Sequence, residues 1–451
     1  MSDRKITFVV LFLLGCILGV VSYVVHFGYS RILILSAVLS VLVLFVLFVE
    51  TRGGFDLFSP MFWVGPLFVI LYAIPATERA VKGDFSFTGR YLSNSPPEVV
   101  IQKALLIAIL GFVFLAAGYY APVGKRLEDK VPQFSEGWSS ERTWILITVL
   151  VVLGIGGYAG LLNELGTHPR SQLTSNKLAF IGVNLLLTSS ILVMADLFIN
   201  GFEYYNLKFI FKNIKKAAFG ATLVLINVRL LWTLGGRTRA FISFIIALFL
   251  FHYLVNSFTL KEYVGVIFAT KFVPGWMASI VAAIITLDIP DLYYHVKNIY
   301  LLTSSPTRPF NNYILLLAGM PEHLNFQYGR TFASAPFDLL PGQPFPETAT
   351  VYNSVFAPWA VGKFGYPITM VGELYMNFWI PGIVAGMFLL GVLIRAFYEW
   401  SIVSARSTYA STVLFASLTN AYLIGGNFSN SAPQLGLKVV PLVACLYLIT
   451  K

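Results

Sequence analysis

The sequence predicts an all-α polytopic membrane protein of about twelve transmembrane helices with one long loop outside the membrane. Three observations carry that reading. Of 451 residues, 57% are hydrophobic and only 12% are charged, against roughly 25% charged in a soluble domain. Apolar runs of about 20 residues recur along the chain, each long enough to cross about 30 Å of hydrocarbon. The alternating segments of about ten residues that build a transmembrane β-barrel do not appear. An ordinary soluble enzyme is excluded.

The runs fall at about 6–26, 31–49, 60–76, 99–120, 143–163, 177–199, 217–235, 240–257, 263–287, 372–394, 411–425 and 435–450. The first follows Arg4 and Lys5. It is too long for a signal-peptide core and no small-residue cleavage site follows it, so it reads as a retained span. The run at 263–287 is the weakest, because Lys271 and Pro274 interrupt it. The chain thus divides into spans with short loops over 1–287, a long loop over 288–371, and three final spans over 372–451. No internal repeat or low-complexity tract is present. Cys16 and Cys445 both lie in apolar runs and supply neither a disulfide framework nor zinc spacing.

Orientation follows from lysine and arginine in short loops. "GKRLEDK" (124–130) and "LKFIFKNIKK" (207–216) are the clearest basic connectors. Twelve spans with both termini inside put both connectors in the cytoplasm, with Arg395 and Arg406. The same parity puts the long loop outside, together with "GGRTR" (235–239) and "GGNFSNSAP" (425–433).

The net charge of +10 is largely this inside bias. No Lys/Arg-rich run with interleaved aromatics implies nucleic acid. The informative cations are those that the topology rule does not want: Arg229, Arg237, Arg239, Arg308 and Arg330, in a span or on the outer side. Several guanidinium groups on one face suit a phosphate or diphosphate, because each is a planar fork of donors that stays charged. In "RLLWTLGGRTRAF" (229–241), Gly235 and Gly236 break one span, and Arg237 and Arg239 precede the next helix, whose first amides favour an anion. A tight hairpin whose arginines snorkel to lipid headgroups would look the same.

The long loop is rich in aromatics, prolines and amides. Such loops are functional or disordered, and aromatic content speaks against disorder. "NNYILLLAGMPEHL" (311–324) has the pattern of a short helix or two. Aromatics interleaved with Asn, Gln and Tyr suit sugars, stacking on ring faces while polar groups meet hydroxyls. A lid that merely caps the bundle is the alternative. Within "MVGELYMNFWIPGIVAGMFLLG" (370–391), Glu373 opens an apolar run and Tyr375, Asn377 and Trp379 follow. A carboxylate at the lip of a membrane is expensive and marks a functional candidate. It would also cap its own helix N-terminus, where negative charge is favoured.

Other chemistry finds no support. No phosphate-binding loop of the Walker type and no Gly-x-Ser-x-Gly motif is present, and His26, His168, His252, His295 and His323 are scattered without metal-ligand spacing. Asp288 and Asp291 read as a solvated helix end or a surface cation site. No cofactor and no metal are expected.

"GELYMNFWIPGIVAGMFLLG" resembles the segment followed by a Gly-rich helix in the Wzy-type O-antigen and oligosaccharide repeat-unit polymerases. "NNYILLLAGMPEHLNFQYGRTF", followed by "LLPGQP", is similar to their outer loop, and "GGRTRAF" to their Gly-Arg turn. The resemblance covers about residues 229–440; the first 200 residues match only in hydropathy. This sequence departs from the pattern at Trp379, where the family usually has glycine, and at "GGNFSNSAP", where many members carry an arginine.

The resemblance implies a glycosyltransferase C-like helical fold in the bacterial inner membrane. It implies polymerisation of undecaprenyl-diphosphate-linked repeat units on the periplasmic face, with membrane lipid, a Wzz-like chain-length regulator and a flippase as partners. In that chemistry Glu373 is the first candidate for general base and His323 the second. Arg237, then Arg239, Arg308 and Arg330, are candidates to grip the diphosphate, and Tyr328, Tyr375 and Asn377 to contact substrate. An O-antigen ligase is the nearest alternative, but the outer-loop "HN" histidine of ligases is missing. A polysaccharide or lipid transporter without catalysis is the other, although transporters often show inverted repeats.

Overall fold

The computed structural model describes residues 30–52, 56, 58–83, 96–165, 177–201, 214–233, 237–257, 307–337, 345–361, 366, 368–418 and 428–450, with isolated positions near the N-terminus. Within some of these helices side chains lie outside the described set, among them those of Arg229, Arg237, Arg239 and Arg308. The expected span at 263–287, most of that at 6–26, and Asp288 and Asp291 lie outside the described residues. The described residues are helical, and no strand occurs among them.

In chain order the helices are α1 Ser30–Arg52, α2 Pro60–Lys82, α3 Pro97–Tyr120, α4 Pro122–Glu128, α5 Ser140–Leu165, α6 Lys177–Gly201, α7 Ile214–Thr233 and α8 Arg237–Leu254. They continue as α9 Thr307–Gly319, α10 Arg330–Phe337, α11 Thr348–Phe356, α12 Met370–Tyr398, α13 Tyr409–Leu418 and α14 Phe428–Thr450. Among the described residues five stretches are long and apolar enough to cross a membrane: Arg31–Thr51, Pro60–Lys82, Pro97–Tyr120, Ser140–Gly160 and Met370–Val403. The chain is an α-helical membrane protein.

Proline and glycine set several boundaries. Pro60, Pro97 and Pro122 begin helices at positions where a missing N–H is no loss. Gly83 ends α2 in the left-handed conformation. The described part of the long loop contains α9, α10 and α11, the first of them over the apolar part of "NNYILLLAGMPEHL".

Two apolar cores run through the bundle. One gathers α1, α2, α3, α9, α11 and the first half of α12. The other gathers α5, α6, α8, α13, α14 and the end of α12. At the centre lies α3, with 89% of its apolar stretch buried. It crosses α12 at backbone contact. A Cβ on Gly118 would stand 2.0 Å from the Phe388 carbonyl oxygen, and one on Gly391 2.0 Å from that of Leu115. Small residues permit such approach where lipid supplies no hydrophobic drive between helices.

The helix ends sort into two sets. At one end the Glu50 carboxylate of α1 accepts from the Tyr120 hydroxyl of α3 at 2.8 Å and from Ser59, just before α2, at 3.2 Å. Asp56 accepts from Tyr253 at 2.9 Å and from Tyr398, joining the ends of α8 and α12. Arg395 pairs with Glu399 and donates to the Tyr119 hydroxyl at 3.3 Å. Asp196, near the end of α6, accepts from Trp138, Ser140 and Trp144. The exposed basic residues Lys125, Arg126 and Lys130 belong to this end, where Gly124 of α4 packs on Arg395. At the other end, Arg79 of α2 donates to the Asn311 side-chain oxygen of α9 at 2.8 Å. The starts of α12 and α14 meet α10 and α11 at this same end.

Candidate functional site

The site is built on the first two turns of α12. Thr369 caps this helix: its hydroxyl accepts the Gly372 N–H at 3.3 Å, and its carbonyl accepts the Glu373 N–H at 2.9 Å. The Glu373 side chain is therefore not the cap of its own helix. It is fully buried and turns outward to three other elements. Its Oε1 accepts from Thr348 Oγ1 of α11 at 2.5 Å and from Thr331 Oγ1 of α10 at 3.3 Å. Its Oε2 accepts the backbone N–H of Phe428, the first residue of α14. A carboxylate at a helix start favours that foreign helix for the usual dipole reason.

Asn377 stands one turn further along on the same face and is also fully buried. Its amide donates to Thr331 Oγ1 at 2.7 Å and to the Glu373 carbonyl at 2.9 Å. The chain Asn377 to Thr331 to Glu373 therefore runs donor to acceptor in one direction. The Asn377 side-chain oxygen accepts the Gly329 N–H at 3.0 Å.

The helix breaks just beyond. Trp379 has φ 57° and ψ −147°, and Pro381 follows. Pro381 has no N–H, so the Asn377 carbonyl loses its partner one turn ahead. The break at Trp379 likewise separates the Met376 carbonyl from its helical donor. The strip between α9 and α10 supplies both: Tyr328 N–H reaches Asn377 O and Gln327 N–H reaches Met376 O, each at 3.0 Å. Non-helical backbone at membrane depth survives only where protein satisfies it in this way. The docked strip is tight. Tyr328 is left-handed at φ 49° and Gly329 at φ 86°, where a Cβ would stand 3.0 Å from the Phe378 ring.

Tyr375 projects from a different face of α12. It is buried, lies edge-on to Phe326 at 6.1 Å, and carries the Lys103 ammonium of α3 over its ring at 5.4 Å.

The structure thus brings Glu373, Asn377, Tyr375 and Tyr328 together, with Arg330 one residue beyond the docked strip at the start of α10. Arg330 is exposed and makes no ion pair among the described residues. His323 is exposed on the turn after α9, its N–H bonded to the Gly319 carbonyl at 2.7 Å. Arg237 and Arg239 fall in the first turn of α8 and Arg308 in the first turn of α9; their side chains lie outside the described set. "GGNFSNSAP" precedes and enters α14, whose first residue is the Phe428 that Glu373 holds.

Sequence reasoning does not point to Thr331 or Thr348, since a threonine in an aromatic loop carries no signal of its own. Lys103 does carry one, as a cation inside an apolar run. Among the described residues no group of three or more His, Cys, Asp and Glu is placed to hold a metal ion. Neither a family model, a curated protein nor a solved structure matches this chain.

Proposed function

We propose that the protein polymerises undecaprenyl-diphosphate-linked oligosaccharide repeat units into a surface polysaccharide. The reaction is glycosyl transfer without a metal, on the periplasmic face of the bacterial inner membrane. About twelve spans with both termini in the cytoplasm accompany this reading. The end that bears Lys125, Arg126 and Lys130 is then cytoplasmic, and Glu373 faces the periplasm.

The observation that carries the proposal is the seating of the outer helices on a broken membrane helix, around one buried carboxylate. In the reaction, an acceptor sugar hydroxyl attacks the anomeric carbon of the donor glycan. The new C–O bond forms as the bond to the diphosphate breaks, and undecaprenyl diphosphate leaves with the electron pair. The hydroxyl proton passes to Glu373. Thr348 already places a hydroxyl on Oε1 at 2.5 Å, the position that the acceptor hydroxyl takes when α11 lifts. α11 is then a lid as well as a wall. Arg237, Arg239, Arg308 and Arg330 stabilise the departing diphosphate, and preorganised donors of this type supply a large part of such rate enhancements. Tyr328, Tyr375 and Asn377 shape the sugar site.

The helix break at Trp379 also favours a second reading, a transporter, because discontinuous helices frame transporter sites. Incubating purified protein with lipid-linked repeat units separates the two. A polymerase makes longer chains on the carrier lipid, and a transporter leaves single units.

A further inference from the structure

Among the described residues Lys103 is a cation without a counter-ion. It is the seventh residue of α3, about 9 Å along the helix from its start at about 1.5 Å per residue. That helix is the most enclosed of the five candidate spans. Lys103 is half-buried, and among the described residues it has no ion pair and no hydrogen bond. Its one described polar contact is the face of Tyr375 at 5.4 Å. An aromatic face offsets only part of the desolvation of an ammonium group. A charge inside a membrane protein normally pairs with another or marks a ligand path. The neighbouring helix α9 is already fixed to this turn of α3, with the Tyr313 hydroxyl on the Ala104 carbonyl at 3.3 Å, so Lys103 is held beside the outer segment.

The surroundings suit an amphipathic ligand. Trp379 is 40% exposed and lies 6.5 Å from Phe326, whose other neighbour is Tyr375. Its indole is set by a left-handed backbone rather than by helical continuation. Cation and aromatic wall therefore share one side of α12, while Glu373 and Asn377 occupy another.

We propose that Lys103 binds the diphosphate of the prenyl-linked substrate, with Tyr375, Phe326 and Trp379 as the wall for its adjoining apolar or sugar part. The assignment rests on the polymerase reading for the identity of the lipid. Lys103 adds an ammonium from the central helix to the arginines proposed above for the diphosphate.

The test is native mass spectrometry of the purified full chain, titrated separately with undecaprenyl diphosphate, undecaprenol and phosphatidylglycerol. Lys103→Gln should weaken undecaprenyl diphosphate about tenfold or more, the size of one lost charge-assisted contact. It should leave undecaprenol unchanged. Lys103→Arg should keep most of the affinity. Lys103→Met removes the charge without placing an amide in the bundle and should repeat the glutamine result. Equal binding of the diphosphate by wild type and both neutral variants overturns the proposal. Phosphatidylglycerol binding as tightly, with the same dependence on Lys103, also overturns it and makes the lysine a general headgroup anchor. A wild-type protein that polymerises while Lys103 is indifferent refutes the site and leaves the function. A wild-type protein that binds the diphosphate through Lys103 and never polymerises refutes the function and leaves the site.

Discussion

The Glu373 carboxylate accepts the backbone N–H of Phe428, so a side chain in the first turn of α12 caps the first residue of α14. With Thr331 and Thr348 on its other oxygen, Glu373 ties α10, α11 and α14 to α12. The same group is thus a structural knot and the best-placed acid–base candidate. Substitutions separate the two roles.

Glu373→Ala removes the acceptor of two buried donors and of the half-buried Phe428 N–H. Each donor left unsatisfied costs about 1–3 kcal/mol, so the loss should reach about 3 kcal/mol or more. Glu373→Gln should cost much less. Its amide oxygen can take the Phe428 N–H while the Thr348 hydroxyl reverses to accept from the amide nitrogen. Thermal unfolding in detergent should rank the wild type and the glutamine variant together, well above alanine. A glutamine variant as unstable as alanine would refute the accommodation.

Trp379 sits where φ 57° and ψ −147° suit glycine. Trp379→Gly and Trp379→Ala lose the same ring, so comparing them isolates the backbone. The glycine variant should be the more stable by about 1 kcal/mol or more, the reverse of the order in an ordinary helix. Finding alanine the more stable would show that this residue is helical in solution.

Asp56 gives the opposite end of the molecule a pH signature. Burial works to raise its pKa. The hydrogen bonds from His252, Tyr398 and the Phe58 N–H, with the charge of His252, outweigh burial and hold it below the ordinary 3.8. A carboxylate depressed by folding contributes stability fully above its unfolded value and loses it as pH falls through the folded one. Asp56→Asn should therefore lower the unfolding temperature at neutral pH, by about 1–3 kcal/mol in stability. The gap to wild type should close below 3.8. A gap that persists unchanged in acid would mean that shape, not charge, matters at this position.

Much of the architecture is legible in the sequence, because hydrocarbon thickness and backbone satisfaction constrain it so strongly. Among the described residues helices stand where apolar runs predict them, and α3 at Pro97–Tyr120 lies within two residues of the expected 99–120. The interior of the long loop is less legible. "TATVYNSVF" forms α11 with no side-chain capping hydrogen bond at its start, packed on the bundle. The break in α12 is half legible: Pro381 announces it, but the non-helical residue is Trp379, fixed by Gln327 and Tyr328 from some fifty residues earlier. For the same reason Glu373 is visible as an anomaly while its partners are not. Thr331, Thr348 and Phe428 come from three separate segments, and only the fold brings them to one carboxylate.

Orientation rests on the sorting of helix ends. With the Lys125 and Arg126 end in the cytoplasm, a reporter enzyme fused near residue 340, between α10 and α11, should report a periplasmic location. A cytoplasmic reading there would place Glu373 on the wrong face for transfer from a lipid-linked sugar.

The most direct measurement is the product ladder made from purified lipid-linked repeat units by wild-type protein and by Glu373→Gln. The wild type should extend the carrier-linked glycan to many repeats. The glutamine variant should fold, retain the lipid-linked substrate and leave only single repeat units, because it cannot take the acceptor proton. A normal ladder from Glu373→Gln would contradict the role of this carboxylate, and no ladder from the wild type would contradict the polymerase itself.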